Sequence, residues 1–234
     1  MAARGRGYSA RVTAIAQTIE HTLLRADATP SDVEGLCRDA TTHSLFGVCV
    51  SPVYVALARR ALHGSTVRVV TVAGFPLGTS SSETKAFEAE RAVRDGADEV
   101  DMVMAIGLAR AGRWDDVEAD VRAVRGRIPR AVLKVILETG YFAPEELRRA
   151  ALAVVAAGAD FVKTSTGFGP RGASVEDVRL LHEAVKSRAQ VKASGGIKTL
   201  EQATLLVQAG ATRIGTSSGV AIALAATEVV TSGR

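Results

Sequence analysis

Cysteine is scarce in this 234-residue chain, which holds two, Cys37 and Cys49. Two thiols are too few for the disulfide framework of a secreted scaffold, so a reducing, cytoplasmic setting is expected. There is no CxxC pair and the four histidines lie far apart, so no metal is expected either. Aromatic residues make up only 4% of the chain. The net charge is +4 and the pI is near 9.3, yet a nucleic-acid surface clusters its basic residues and interleaves them with aromatics. Here the arginines are scattered along helical stretches, as at Arg59-Arg60 and Arg148-Arg149. Mild positive charge of that kind suits a small anionic substrate better than a polymer. No apolar run approaches the ~20 residues of a membrane span. The first residues have no apolar core of the kind a secretory signal needs. No Asn-Gly hairpin turn and no GxGxxG fingerprint is present, which argues against antiparallel hairpins and against a doubly wound dinucleotide fold.

What the chain does have is alternation. Hydrophobic residues make up 47%, enough for one sizeable core. Short apolar strands are predicted at 19–24, 45–50, 67–72, 99–103, 131–137, 161–163, 190–194 and 212–215. Helical patterns fall between them at 31–43, from Pro52, and at 82–94, 115–126, 144–157, 175–187 and 199–209, with a final helix at 217–229 and a short one at 11–19 ahead of the first strand. Strands that alternate with helices pair in parallel. A weak repeat supports this: Asp95-Gly-Ala-Asp, Ala157-Gly-Ala-Asp and Ala209-Gly-Ala-Thr each stop a helix at a glycine and start a strand. About eight such units in this length predict a (β/α)8 TIM barrel as a single domain over 11–234, with residues 1–10 loosely held.

In such a barrel the chemistry sits at the C-terminal ends of the strands. Lys163 follows Phe161 and Val162, where a strand is being buried. Burial disfavours the ammonium, and a neutral lysine is a nucleophile toward carbonyls. Lys192 lies on the adjacent strand, about 4.8 Å away if both face inward. Two like charges at that range push one toward losing its proton. Asp101 places a carboxylate across the same mouth. Two lysines and an acid are the equipment of carbinolamine and iminium chemistry. Taken singly, each has a plainer reading, as a snorkelling lysine or an ion-pair partner. Lys134 and Glu138 read as a pair within strand five. Cys49 reads as a small buried hydrophobe, Trp114 as a helix-start anchor, and Phe75-Pro76 as a loop-shaping dipeptide. Gly195-Gly196 and the Gly215 to Ser218 stretch put glycines and hydroxyls in loops seven and eight, the usual phosphate position of a barrel. A simple turn is the plainer reading of the two glycines.

Cys49-Val-Ser-Pro52, Gly74-Phe-Pro-Leu-Gly78, Glu99-Val-Asp-Met-Val103, Phe161-Val-Lys-Thr-Ser-Thr-Gly167, Val191-Lys-Ala-Ser-Gly-Gly-Ile197 and Arg213-Ile-Gly-Thr-Ser-Ser218 together resemble the deoxyribose-phosphate aldolases, class I aldolases on a (β/α)8 barrel. The resemblance implies Lys163 as the Schiff-base former, Asp101 as proton donor and acceptor, and Lys192 as the lysine that tunes the site and relays protons. It implies cleavage of 2-deoxy-D-ribose 5-phosphate to acetaldehyde and D-glyceraldehyde 3-phosphate, with neither metal nor organic cofactor. Phosphate would lie at Gly167, Gly195, Gly196, Gly215, Ser217 and Ser218. Glu20, Lys134, Thr166 and Cys49 form the supporting shell.

Three positions depart from the family pattern. Glu20 stands where an aspartate is common, Ala105 stands where an asparagine is common, and the chain ends Thr-Ser-Gly-Arg without a tyrosine. A sugar-phosphate isomerase on the same barrel and a non-catalytic binder of a phosphorylated ligand are the alternatives. The partner expected is a phosphorylated sugar, with neither nucleic acid nor membrane, and the assembly expected is a homodimer.

Overall fold

Local chemistry marks several of the helix ends in this chain. The structure is a computed structural model that describes residues 15–232. Eight parallel strands close into a barrel in sequence order, with β8 hydrogen-bonded to β1. They are β1 (Ile19–Leu23), β2 (Gly47–Val50), β3 (Arg68–Ala73), β4 (Glu99–Val103), β5 (Val132–Ile136), β6 (Phe161–Lys163), β7 (Gln190–Ser194) and β8 (Arg213–Thr216). Among the described residues there are nine α-helices: α1 (Pro30–Thr42), α2 (Val55–Ala61), α3 (Ser82–Arg94), α4 (Ile106–Arg110), α5 (Trp114–Arg127), α6 (Pro144–Ala156), α7 (Val175–Val185), α8 (Leu200–Gln208) and α9 (Gly219–Ser232). The predicted β4, β6 and β7 and the helix at 82–94 coincide with the observed ones; the other edges move by one to three residues. The five-residue α4 is the addition, too short for a periodic signal. Pro52 opens a 3₁₀ turn (Pro52–Tyr54), and α2 follows at Val55. The loosely held start expected at 1–10 lies outside the described residues, as do 11–14 of the helix expected at 11–19; of the rest, 15–16 are helical, 17–18 form a turn, and Ile19 already begins β1, where strand pairing replaces the helix.

Caps and stops match their chemistry. Thr29 and Thr199 close capping boxes onto Asp32 and Gln202, and Ser81 and Ser174 accept from the first turns of α3 and α7. Gly96, Gly158 and Gly210 follow their helices at φ +112°, +100° and +118°, conformations that suit glycine. The repeat is also functional as packing. Arg59 and Arg125 hydrogen-bond the carbonyls of Gly96 and Gly158, and each pairs with the aspartate two residues on, Asp98 or Asp160. Those aspartates in turn accept the backbone N–H of Val69 and Leu133 from the neighbouring strand. One arginine, one glycine stop and one aspartate thus fix each of these two units to the previous strand; at the third, Thr212 stands in place of the aspartate.

The outward faces of the strands join the helices in one large apolar core. The barrel interior is divided instead. Cys49, Val70 and Val72 form a small separate apolar cluster on β2 and β3. The remaining wall carries Glu20, Glu99, Asp101, Lys134, Lys163, Lys192 and Arg213, all buried except the partly exposed arginine. Among the described residues no helix is long and apolar enough to cross a membrane.

Candidate active site

The site grows from the register of four strands. Asp101 lies beside Lys134, Ile136 beside Lys163, and Lys163 beside Lys192. Neighbours in a parallel pair point the same way, so the lysines and the aspartate converge on the axis. Asp101 is fully buried at their centre. Its Oδ1 accepts from Lys134 at 2.9 Å, while Oδ2 accepts from both Lys163 at 2.7 Å and Lys192 at 2.6 Å. One carboxylate oxygen therefore joins the two predicted catalytic amines.

The lysines are not equivalent. Lys192 pairs with Glu20 as well as Asp101. Lys134 pairs with Glu99 at 2.5 Å, Asp101 at 2.9 Å and Glu20 at 3.4 Å. Among the described residues Lys163 has Asp101 alone. Burial drives every buried ammonium toward neutrality, and only carboxylates resist it. For Lys192 burial is outweighed by Asp101 and Glu20, and its pKa is raised above the ordinary range. Lys134 is likewise raised against burial, by Asp101 and Glu20. For Lys163 burial wins; Asp101 opposes it, the Lys192 ammonium adds to it, and its pKa is lowered. On the acid side, burial would raise Asp101, but Lys134, Lys163 and Lys192 hold it well below the usual carboxylate range. Glu20 is lowered for the same reason, through Lys134 and Lys192.

Lys163 opens into a cleft of about 280 Å³. Gly167, Gly195, Gly196, Gly215 and Ser217 line that cleft with it. Gly195 and Gly196 take φ +91° and +76°, leaving backbone exposed where a side chain would stand. Ser218 is not among the lining residues; its N–H is used by the Thr216 hydroxyl. Gly215 has a second duty: a Cβ there would lie 3.0 Å from Lys192 Cε, so the missing side chain makes room for that lysine.

Loop six is held from below. Glu138 sits at φ +54° after β5, and its carboxylate accepts from the N–H and the hydroxyl of Thr166. The expected pairing of Lys134 with Glu138 is therefore corrected. Alternate residues of a strand share a face, but the left-handed turn at 138 swings Glu138 away from the axis toward loop six. Arg171 and Asp177 pair, and the Thr139 hydroxyl donates to Asp177. Ala173 N donates to Gly195 O at 3.1 Å, tying loop six to loop seven. Phe168 lines the cleft and meets Phe75 edge-on at 5.5 Å.

Cys49 is buried beside this cluster, and burial pushes its thiol up to about 11. It remains protonated at neutral pH, the behaviour of a packing residue. Trp114 opens α5, with the Arg149 guanidinium over its ring. Glu99 and Arg213 escaped the sequence reading, which treated them as strand edges; their period-two spacing from Asp101 and Gly215 was the available signal. Thr22, Arg25 and Lys198 also line the cleft and were not anticipated. Ala105 caps α4 without a side-chain bond and lies outside the cleft lining.

A buried lysine with a lowered pKa, held by one carboxylate at the mouth of a parallel barrel, is an arrangement suited to an enzyme that works on carbonyl carbon. Comparison with known proteins agrees. Residues 12–226 match the family described as DeoC/LacD family aldolase. Deoxyribose-phosphate aldolases of Deinococcus radiodurans and of Thermus thermophilus are each 55% identical over 208 residues, covering 89% of this chain and 94% of theirs. The tetrameric deoxyribose phosphate aldolase of Aeropyrum pernix superposes with a TM-score of 0.88 at 33% identity, covering 97% of both chains. The chain belongs to the DeoC/LacD aldolase family.

Proposed function

We propose that this protein is a lyase that reversibly cleaves 2-deoxy-D-ribose 5-phosphate to acetaldehyde and D-glyceraldehyde 3-phosphate. The observation that carries the reading is Lys163, which has a single carboxylate partner and opens onto a cleft edged by glycine and serine loops. The neutral amine adds to C1 of the open-chain aldehyde. The carbinolamine loses water to become an iminium, with Asp101 and Lys192 passing the protons. The C3 hydroxyl then gives up its proton, the C2–C3 bond breaks, and its electron pair enters the iminium to form an enamine. Glyceraldehyde 3-phosphate leaves, C2 takes a proton, and water releases acetaldehyde from Lys163. The sugar phosphate at the far end of the substrate is received by backbone N–H groups at Gly195, Gly196 and Ser217, beside the Lys198 side chain.

Acetaldehyde with cyanoborohydride should leave a reduced two-carbon adduct on Lys163, read by peptide mass. The trapping rate should rise with pH through the lowered Lys163 pKa, because only the neutral amine adds. Lys163→Ala should abolish both trapping and cleavage, and cleavage by the parent protein should be indifferent to chelator. An isomerase would keep most of its activity in Lys163→Ala, and a binder would show no cleavage in the parent protein.

The setting proposed is a reducing cytoplasm, since both cysteines are free and buried. We further propose a homodimer. Val53, Leu77 and Phe87 are exposed by 78%, 66% and 66% around a groove lined by Pro52, Phe75 and Pro76, a patch that favours burial. Light scattering should give twice the 24.4 kDa of one chain; a mass of one chain overturns it.

A further inference from the structure

Among the described residues the barrel interior holds three carboxylates, Glu20, Glu99 and Asp101, against four cations, Lys134, Lys163, Lys192 and Arg213. With every group ionised the cluster carries one positive charge in excess. An arginine does not release its proton in a protein. The excess must therefore be relieved at a lysine, and relief falls on the one with the fewest partners.

Arg213 sits at the floor of the barrel, at the start of β8 and in register with Lys192. Its Nη1 donates to Glu20 Oε1 and to Glu99 Oε2, both at 3.1 Å. Its guanidinium lies over the Phe46 ring at 3.3 Å and faces Phe161 at 5.3 Å. Glu20 and Glu99 are also the carboxylates that Lys134 and Lys192 use. The charged groups facing Arg213 are thus Glu20 from β1, Glu99 from β4, Lys134 from β5 and Lys192 from β7. Those facing Lys163 are Asp101 from β4 and Lys192 from β7, with the Cys49 thiol from β2.

We propose that Arg213, pinned between Glu20 and Glu99, is a positioning residue whose permanent charge leaves the interior one cation in excess and so keeps Lys163 an uncharged nucleophile. It lies outside the cleft lining. It shares the negative charge that would otherwise be free to compensate the lysines. This rests on Lys163 as the Schiff-base former. The lowered pKa of Lys163, beside raised ones for Lys134 and Lys192, agrees with where the relief falls.

The two sides of the count give opposite signs. Arg213→Met leaves three lysines facing three carboxylates, so Lys163 keeps its proton to higher pH. Glu99→Gln raises the excess, so Lys163 loses its proton at lower pH. The readout is the acid limb of acetaldehyde trapping by cyanoborohydride on Lys163, measured against pH on protein of confirmed fold. Acetaldehyde carries no phosphate, so no substrate titration enters. Arg213→Met should move the limb up by about one pH unit, a roughly tenfold fall in trapping at a fixed pH on the limb. Arg213→Lys should return most of that shift, and Glu99→Gln should move the limb down by a similar amount. Slower trapping in Arg213→Met with the limb unmoved overturns the proposal, since loss of packing alone predicts that result. If Arg213→Met does not fold, Glu99→Gln decides: a downward limb supports the proposal and a fixed one overturns it. No adduct on Lys163 in the parent protein overturns the Schiff-base reading and this proposal with it, whereas an adduct with fixed limbs overturns this one alone.

Discussion

Replacing Asp101 by asparagine should slow carbon–carbon cleavage by about 10²–10⁴-fold while the Michaelis constant changes far less. The size follows from the position of the carboxylate. Asp101 Oδ2 touches both Lys163 and Lys192, so in the proposed mechanism it is the shared station for protons that move between them. An amide keeps the shape and one acceptor, but it presents N–H groups to an ammonium and cannot be protonated on demand. The amine itself is not lost. Removing a negative charge makes Lys163 still easier to deprotonate, so acetaldehyde should still reach it and the defect should lie in kcat. Steady-state kinetics on variant protein whose thermal unfolding has been recorded would check this. A kcat within tenfold of the parent would remove Asp101 from the proton path.

Lys85→Ala should be the most destabilising single change away from the cleft. Lys85 is fully buried on α3 and pairs with Asp120 on α5 at 2.7 Å, and the Ser82 hydroxyl donates to the same aspartate. Truncating the lysine leaves a buried aspartate without its cation, a loss of about 3–5 kcal/mol. For a domain of this size that is roughly 6–20 °C in Tm. The lysine stem also lies under the turn after β3, where a Cβ on Gly74 would meet Lys85 Cε at 2.9 Å. Lost packing therefore adds to the electrostatic loss. Lys85→Met with Asp120→Leu removes both charges and keeps the volume, and should recover most of the stability. Calorimetry on the single and double variants separates the two contributions. If the double variant is no more stable than Lys85→Ala, the cost lies in packing and the unpaired charge is not its cause.

Glu20 shows how a departure from the family pattern is absorbed. Its carboxylate reaches Lys134, Lys192 and Arg213 at once. Those contacts lie across strands that are far apart in the chain, so no local reading assigns them. Glu138 makes the same point in reverse. Its spacing from Lys134 suggested a pair, and only the left-handed backbone at 138 sends it to Thr166. Asp101, Lys163 and Lys192 were legible because each is an ionisable residue inside an apolar strand, an expense that structure alone rarely explains. Arg213 and Glu99 were not, since a charged residue at the first position of a strand is ordinarily solvated.

By itself, the order of residues determined the alternation of strands and helices, the glycine stops, and the placement of two lysines on adjacent strands, because capping, φ preference and period-two burial act within a few residues. Which charge answers which was decided only by closure of the barrel. Joining β8 to β1 brings Arg213 and Lys192 to Glu20, partners 193 and 172 residues away. The protonation of Lys163 follows from that ring of charges as a whole, since electrostatic balance in a buried space depends on every group enclosed with it.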